Sequence, residues 1–248
     1  MTSEIELAAR ALSRDTCVVL PTYNERENVP AMVAALLSVA ARVRVLIVDD
    51  ASPDGTGAIA SAIAASNPAR VSVLHRAAKT GLGDAYVAGF RMALASGAER
   101  ILEMDADFSH PVSAIPEMLR LAEQSDVVVG SRYVRGGSLD RRWSRGRRLL
   151  SWGGNQYART LTGLRVRDAT AGFKCFRREA LLSLPLGEIR SQGYTFQIEM
   201  AMRCQKAGLT VVEFPIHFAE RSFGSSKMTP QIAIEALWRI WQLAILVR

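Results

Sequence analysis

Cysteine and histidine are scarce in this chain of 248 residues, with three of each. Cys17, Cys175 and Cys204 are odd in number and far apart, which excludes a disulfide framework and any thiol-based redox or metal motif. A reducing cytosolic compartment fits that usage. His75, His110 and His217 show no ligand spacing among themselves. There is no Asn-x-Ser/Thr sequon and no basic-then-apolar leader at the N-terminus. Uninterrupted apolar runs of about 18 residues are also missing, so no segment reads as membrane-spanning. The nearest, Ile232 to Val247, is broken by Glu235, Arg239 and Gln242. Neither the P-loop nor the G-x-G-x-x-G pattern occurs. Lys79-Thr80-Gly81-Leu82-Gly83 reads as a flexible turn before a helix, with a phosphate cradle as the alternative. Repeats, long linkers and low-complexity tracts are lacking too.

What is present is a core and a positive charge. Hydrophobic residues make up 49% of the chain, enough for one large α/β domain or two small ones. Net charge is +7, and much of the excess lies between Arg132 and Arg148. That balance favours an anionic partner: nucleotide, lipid phosphate, membrane surface or nucleic acid. A merely basic, solvated surface is the plain alternative.

Short apolar runs alternate with helical patterns from residue 16 to about 130. Strands are expected at Thr16–Leu20, Val43–Val48, Val71–Leu74, Arg100–Met104 and Asp126–Val129. Helices are expected near Glu27–Ala40, Thr56–Ala65, Asp84–Ala95 and Val112–Glu123. This predicts an α/β fold, a mostly parallel sheet flanked by helices on both faces. The second half is less regular. A helix is expected from Trp143, a loop entering a strand over Asp168–Arg177, a helix over Gln197–Ala207, a strand over Leu209–His217 and a last helix from Thr229 and Pro230.

Ligands of such sheets bind beyond the carboxyl ends of the strands. Asp105-Ala106-Asp107 ends one apolar run, and Asp49-Asp50 ends another. Carboxylate oxygens are the preferred ligands of Mg²⁺ and Mn²⁺, ions usually shared with substrate phosphates. One such pair alone is equally a solvated strand end or a helix cap. Two pairs at one sheet edge fit a site for a metal-bound nucleotide. In Asp49–Thr56, Asp54 or Thr56 can cap a helix while Pro53 and Gly55 shape the turn. Asp50 is left to face the crevice, where it can accept hydrogen bonds from a base or ribose. His110, just after the acidic motif, reads as a supporting or cap-like group rather than a ligand.

Arg221 and Lys227, with Gly and Ser between them, suit a loop that closes on phosphates, against the alternative of a plain solvated loop. Arg141 to Arg148, interleaved with Trp143 and followed by Leu149-Leu150-Ser151-Trp152, suits nucleic acid or a membrane interface. Ile234, Leu237, Trp238, Trp241 and Ile245 recur at helical spacing, for an interface or for packing on the protein itself.

Taken together, these motifs resemble the family 2 glycosyltransferases with a GT-A fold, and within them the dolichyl/polyprenyl-phosphate mannosyltransferases. The resemblance runs from Cys17 to about Lys227. It rests on Val19–Glu25, Val48–Thr56, Met104–Pro111, Gly130-Ser131-Arg132-Tyr133, Asp168–Phe173, Gly193–Met200 and the Arg221…Lys227 loop. It implies one glycosyltransferase domain over 1–248, divided into a nucleotide-sugar half (1–130), an acceptor half (131–228) and a C-terminal interfacial helix (229–248). It implies that Pro21, Tyr23, Glu25, Val48 and Asp50 hold the nucleoside of a donor, GDP-mannose. Asp105, Ala106 and Asp107 would place Mg²⁺ or Mn²⁺ and the diphosphate. Arg221 and Lys227 would close over the donor, and Arg132 would contact phosphate in the active site. Ser109 stands where many relatives carry a metal-binding Gln and would join Asp105 and Asp107 at the metal through a shorter, weaker ligand, and Trp152 stands where relatives often carry a basic residue. The acceptor, a polyprenyl or dolichyl monophosphate, would then lean on Arg132, Arg147 and Arg148. The resemblance also implies a peripheral enzyme on the cytoplasmic face of a membrane, with a membrane-anchored partner subunit as a possible addition and no nucleic acid. A transferase moving glucose or another sugar from a UDP-sugar is the enzymatic alternative. A basic nucleic-acid-binding or scaffold protein is the alternative of another class.

Overall fold

The computed structural model describes residues 2–220 and 230–246. Its strands are β1 (Thr16–Thr22), β2 (Val43–Asp49), β3 (Val71–His75), β4 (Arg100–Glu103), β5 (Val127–Ser131), β6 (Ser138–Leu139), β7 (Lys174–Arg177), β8 (Val211–Pro215) and β9 (His217–Phe218). Its helices are α1 (Thr2–Leu12), α2 (Val29–Val39), α3 (Thr56–Ser66), α4 (Leu82–Ala95), α5 (Ile115–Leu121), α6 (Arg145–Thr162), α7 (Arg178–Ser183), α8 (Gly193–Lys206) and α9 (Pro230–Leu246). Seven strands form one sheet in the order β3-β2-β1-β4-β7-β5-β8, and β6 pairs with β9 in a small second sheet.

β1 is buried along nearly its whole length, as a strand covered on both faces must be. Val18 and Leu20 point into one hydrophobic layer with Met32, Val33 and Leu36 of α2 and Met118 of α5. Cys17 and Val19 point into the other, with Tyr86 and Phe90 of α4, Leu181 of α7 and Phe196 of α8. The period of two along the strand thus assigns each residue to one helical layer. A third cluster joins Ala158 of α6, Ile198 of α8 and Ile240 and Leu243 of α9.

β1 to β5 and the helices between them fall where the hydrophobic periodicity places them, within a few residues. The expected second-half elements differ more. The strand over Leu209–His217 is split: β8 stays in the main sheet, and β9 leaves it to pair with β6. The helix expected from Gln197 begins at Gly193, and that expected from Trp143 begins at Arg145. Ser144 sets that start, because its Oγ accepts the Arg147 N–H at 3.2 Å as an N-cap. Gly163, at φ +69°, ends the helix in the left-handed conformation. α1 has no counterpart in the periodicity reading.

The main departure from simple alternation is β7. It inserts between β4 and β5, antiparallel to both, while the other pairings of the main sheet are parallel. Its register sets Lys174 opposite Glu103. The chain leaves β1 towards β2 on one side and reaches β4 on the other, so a crevice opens at the carboxyl ends of β1, β2 and β4.

Candidate active site

The loops leaving β1, β2 and β4 each contain one non-glycine residue with positive φ: Asn24 (61°), Ala51 (56°) and Phe108 (62°). These are the positive-φ non-glycine residues among the described chain, and all three border the crevice. Such backbone costs on the order of 1–3 kcal/mol per residue and persists where the surroundings over-determine it.

The two acidic pairs have different tasks. Asp49 is consumed by the fold. Its carboxylate accepts the Ser52 hydroxyl at 2.6 Å, the Ser52 N–H at 3.3 Å and the Thr22 hydroxyl at 3.3 Å. A Cβ on Gly57 would lie 2.7 Å from that carboxylate, so this position in the first turn of α3 requires glycine. Asp50, buried beside it, makes an ion pair with Arg76. Val48 ends in the core beneath, and Pro21 lies beside it in the β1–β2 register. Lys79 places its ammonium 3.6 Å from the centre of the Tyr23 ring. The Glu25 backbone N–H donates to Thr56 Oγ1 at 3.0 Å, and its carboxylate accepts from Asn28 at 2.7 Å. Pro21, Tyr23, Glu25 and Asp50 thus border one end of the crevice, while Val48 is fully buried beneath them. In the Lys79–Gly83 turn the Gly83 N–H, at the start of α4, donates to Gln192 Oε1 at 2.8 Å.

Asp105, Ala106 and Asp107 follow β4. Asp107 is buried, and its Oδ1 accepts both the hydroxyl (2.6 Å) and the N–H (3.0 Å) of Ser109. Ser109 therefore holds Asp107 in place. Asp105 is more open; Tyr86 donates its hydroxyl to Oδ1 at 3.4 Å. The Asp105 backbone N–H donates to His110 Nδ1 at 3.3 Å. His110 is buried, stacked on Phe173 and edge-on to Phe218. Burial pushes its pKa down to about 4, so the ring is neutral with its proton on Nε2. Gly172 faces this motif, a Cβ there lying 3.9 Å from Asp105 Oδ2 and 3.4 Å from Gln197 Nε2. The two carboxylates supply hard oxygen ligands and too few of them to enclose an ion, which fits a metal completed by water and diphosphate.

Beneath the motif lies a buried polar cluster that sequence reasoning missed. Lys174 Nζ donates to Glu103 at 2.7 Å, to the Ala171 carbonyl at 2.5 Å and to Gln197 Oε1. Burial pushes the Glu103 carboxyl up, against the pull of Lys174. Lys174 thereby ties the Ala171-Gly172-Phe173 loop to β4 just before Asp105. The antiparallel register that creates this pair leaves no signal in local periodicity.

Arg132 forms a fork with Asp168: Nε to Oδ2 at 2.8 Å and Nη2 to Oδ1 at 2.6 Å, with its own backbone N–H also on Oδ2 at 2.9 Å. Nη2 also reaches Thr170 Oγ1 at 2.7 Å. Burial opposes the Asp168 charge, but Arg132 outweighs it and holds that carboxyl below the usual range. Arg147, at the start of α6, gives Nη1 to both oxygens of Glu220 at 2.9 and 2.8 Å and lies 3.6 Å from the centre of the Trp143 ring. Arg148 donates Nη2 to the Asp140 carbonyl at 2.9 Å, and its buried Nε has no partner among the described residues. Glu220 is close to the acidic motif through the backbone, since the neighbouring Ala219 N–H donates to the Ser109 carbonyl at 3.0 Å. Arg221 and Lys227 lie outside the described residues.

Residues 17–184 match the model of glycosyl transferase family 2. The chain belongs to this family. Among curated relatives, the polyprenol monophosphomannose synthase of Mycolicibacterium smegmatis is 44% identical over 231 residues, 93% of this chain and 87% of that protein. The undecaprenyl-phosphate mannosyltransferase of Micrococcus luteus is 44% identical over 228 residues, 91% of this chain and 93% of that protein. Among solved structures, glucosyl-3-phosphoglycerate synthase from Mycobacterium tuberculosis, in complex with Mn²⁺, UDP and glucosyl-3-phosphoglycerate, superposes with a TM-score of 0.65 at 19% identity. That match covers 98% of this chain and 82% of the other. The same synthase with phosphoglyceric acid gives 0.66 at 20% identity. The fold of this glycosyltransferase is therefore of the GT-A type, with a C-terminal helix added. α9 packs Ile240, Leu243 and Ala244 inward while Leu237, Trp238, Trp241 and Ile245 stay exposed; the side chain of Ile234 lies outside the described residues. No described helix is long and apolar enough to cross a membrane.

Proposed function

We propose that this glycosyltransferase moves mannose from GDP-mannose to a polyprenyl monophosphate at a membrane surface, giving polyprenyl phosphate mannose and GDP. The observation that carries this reading is the 44% identity over 93% of the chain to a polyprenol monophosphomannose synthase. The strand-end site supports it. Pro21, Tyr23, Glu25, Val48 and Asp50 would receive the nucleoside. Asp105 and Asp107, with Ser109 holding the second, would carry a divalent cation, Mg²⁺ or Mn²⁺. Bound there, the ion would neutralise charge developing on the leaving diphosphate.

The acceptor needs little chemical activation. A phosphate monoester has a second pKa of about 6, so much of it is dianionic and already nucleophilic at neutral pH. One of its oxygens forms a bond to C1 of the sugar as the bond from C1 to the GDP oxygen breaks. The electron pair leaves with GDP, and an α-linked donor gives a β-linked product. No proton has to be removed from the nucleophile, so the chain's own task is alignment and charge compensation. Arg147 and Arg148, in the first turn of α6, suit the acceptor phosphate, and the helix N-terminus adds favourable partial charge. Arg132 is buried and held by Asp168 and Thr170, so it would act on the acceptor by fixing this loop rather than as an open phosphate ligand.

The surface supports a peripheral enzyme and favours lipid phosphate over nucleic acid for the arginine-rich segment. Leu149, Leu150 and Trp152 of α6 are exposed, as are Trp238 and Trp241 of α9, and Tyr157, Leu237, Trp238 and Trp241 line a groove of about 300 Å³ between the two helices. Arg141 and Arg145 are also exposed and precede Leu149 and Leu150 in the chain. The test is incubation with a panel of nucleotide sugars and a polyprenyl phosphate, with mass analysis of the lipid. A lipid gaining one hexose from GDP-mannose alone is the expected result; transfer only from UDP-sugars reverses the donor assignment. Calorimetry with GDP and UDP under matched metal provides an independent check.

A further inference from the structure

Arg132 and Arg147, two of the candidate acceptor-side arginines, are both paired with carboxylates, and the pairs are of different kinds. Arg132–Asp168 is shut away, with side-chain exposures of 7% and 0%, and it is a two-nitrogen fork reinforced by a backbone N–H. Breaking a pair of that kind leaves an uncompensated buried charge. Arg147–Glu220 is partly exposed, with exposures of 33% and 26%, and one guanidinium nitrogen serves both carboxylate oxygens. Exposed pairs of this kind are worth only about 0–1 kcal/mol. The Arg147 guanidinium is nevertheless held in place independently of Glu220, by its stacking on Trp143. The result is a fixed cation whose anion is easily exchanged, one residue along the chain from the contact between Ala219 and Ser109.

Resting on the acceptor reading above, we propose that Glu220 is an internal competitor for the acceptor phosphate at Arg147, lowering the affinity of that position for substrate and product alike so that the more weakly held product is let go. The chemistry gives the competition a direction. Before transfer the acceptor is a phosphate monoester carrying close to two negative charges at neutral pH. After transfer it is a phosphodiester carrying one. A dianion displaces a carboxylate from a guanidinium more readily than a monoanion does. Glu220 therefore yields to the incoming lipid and returns to Arg147 once the sugar is attached, assisting product release. Its Asp140 neighbour keeps it at hand: the Glu220 backbone N–H donates to Asp140 Oδ2 at 3.0 Å, so the side chain swings while its backbone stays anchored.

The test uses the full chain, a short soluble prenyl phosphate and its methyl phosphodiester as probes, and a Glu220→Gln variant of nearly the same size. By calorimetry, wild type is expected to bind the monoester at least tenfold more tightly than the diester, and the variant to bind both probes severalfold more tightly without narrowing that ratio. In steady-state transfer, the variant is expected to lower the acceptor KM and kcat together, because product leaves more slowly. A purely structural Glu220 would leave the affinity for both probes unchanged or lower, or raise the acceptor KM; either result overturns the proposal. The wild-type ratio stands whether or not the variant folds, and near-equal binding of the two probes also overturns it. Failure of wild type to bind either probe overturns the acceptor reading itself.

Discussion

His110 supports Asp105 through a single hydrogen bond in which the imidazole is the acceptor: Nδ1 takes the Asp105 backbone N–H at 3.3 Å. The side chain that Asp105 offers to a cation is therefore aimed by a neutral ring packed between Phe173 and Phe218. Asn can reproduce an acceptor at the Nδ1 position, whereas Phe can only fill the space. His110→Phe is expected to weaken Mn²⁺-dependent GDP binding by about 10–100-fold, the usual effect of losing a group that orients a metal ligand. His110→Asn should restore most of it. Equal binding by both variants and wild type would show that the Asp105 backbone needs no such support.

The same ring makes the metal-free protein sensitive to acid. A histidine near 6.5 in the unfolded chain and about 4 in the folded one binds its proton first in the unfolded state. Its contribution is thus fully present above pH 6.5 and is lost as pH falls from 6.5 towards 4, at about 1.4 kcal/mol per pH unit at most. Urea unfolding in chelator at pH 7.5, 6 and 5 should show stability dropping over this interval. His110→Phe should flatten that slope, and an unchanged slope would assign it to other groups.

Asp105 and Asp107 should both be needed for transfer and neither for folding. Asp107→Ala removes the acceptor of two Ser109 hydrogen bonds, and Asp105→Ala removes the more open carboxylate. Both are expected to reduce mannosyl transfer to background while the circular dichroism spectrum stays native. Excess chelator should do the same to wild type. Full turnover in chelator would remove the cation from the mechanism.

Asp168 should matter most for stability. Its loss leaves the buried Arg132 guanidinium without its fork, so Asp168→Ala is expected to lower unfolding free energy by about 3–5 kcal/mol. Denaturant titration measures this directly. A loss below about 1 kcal/mol would place the pair in the class of surface bridges.

Binding to vesicles containing anionic lipid should weaken with salt and with neutralisation of Arg141 and Arg145, each contributing about 1 kcal/mol near the surface. Trp152→Ala and Trp238→Ala should weaken it without changing the salt dependence. Co-sedimentation separates these cases. If wild type ignores such vesicles even with polyprenyl phosphate present, a membrane-anchored partner becomes the better explanation.

The sequence by itself determined the alternating α/β plan from β1 to β5 and the placing of Pro21–Glu25, Asp49-Asp50 and Asp105–Asp107 at strand ends. Periodicity and turn residues are local, and parallel strands separated by helices must deliver their ends to one edge. It could also show that the Pro53–Thr56 turn does not account for Asp50. Only the tertiary structure decided which charges meet. Lys174 reaches Glu103 because β7 enters the sheet antiparallel, Asp168 captures Arg132 from 36 residues away, and Glu220 meets Arg147 from 73. Such pairings depend on register and loop return, which no window of local sequence encodes. They separate the arginine locked into the fold from the arginine left exchangeable for a substrate.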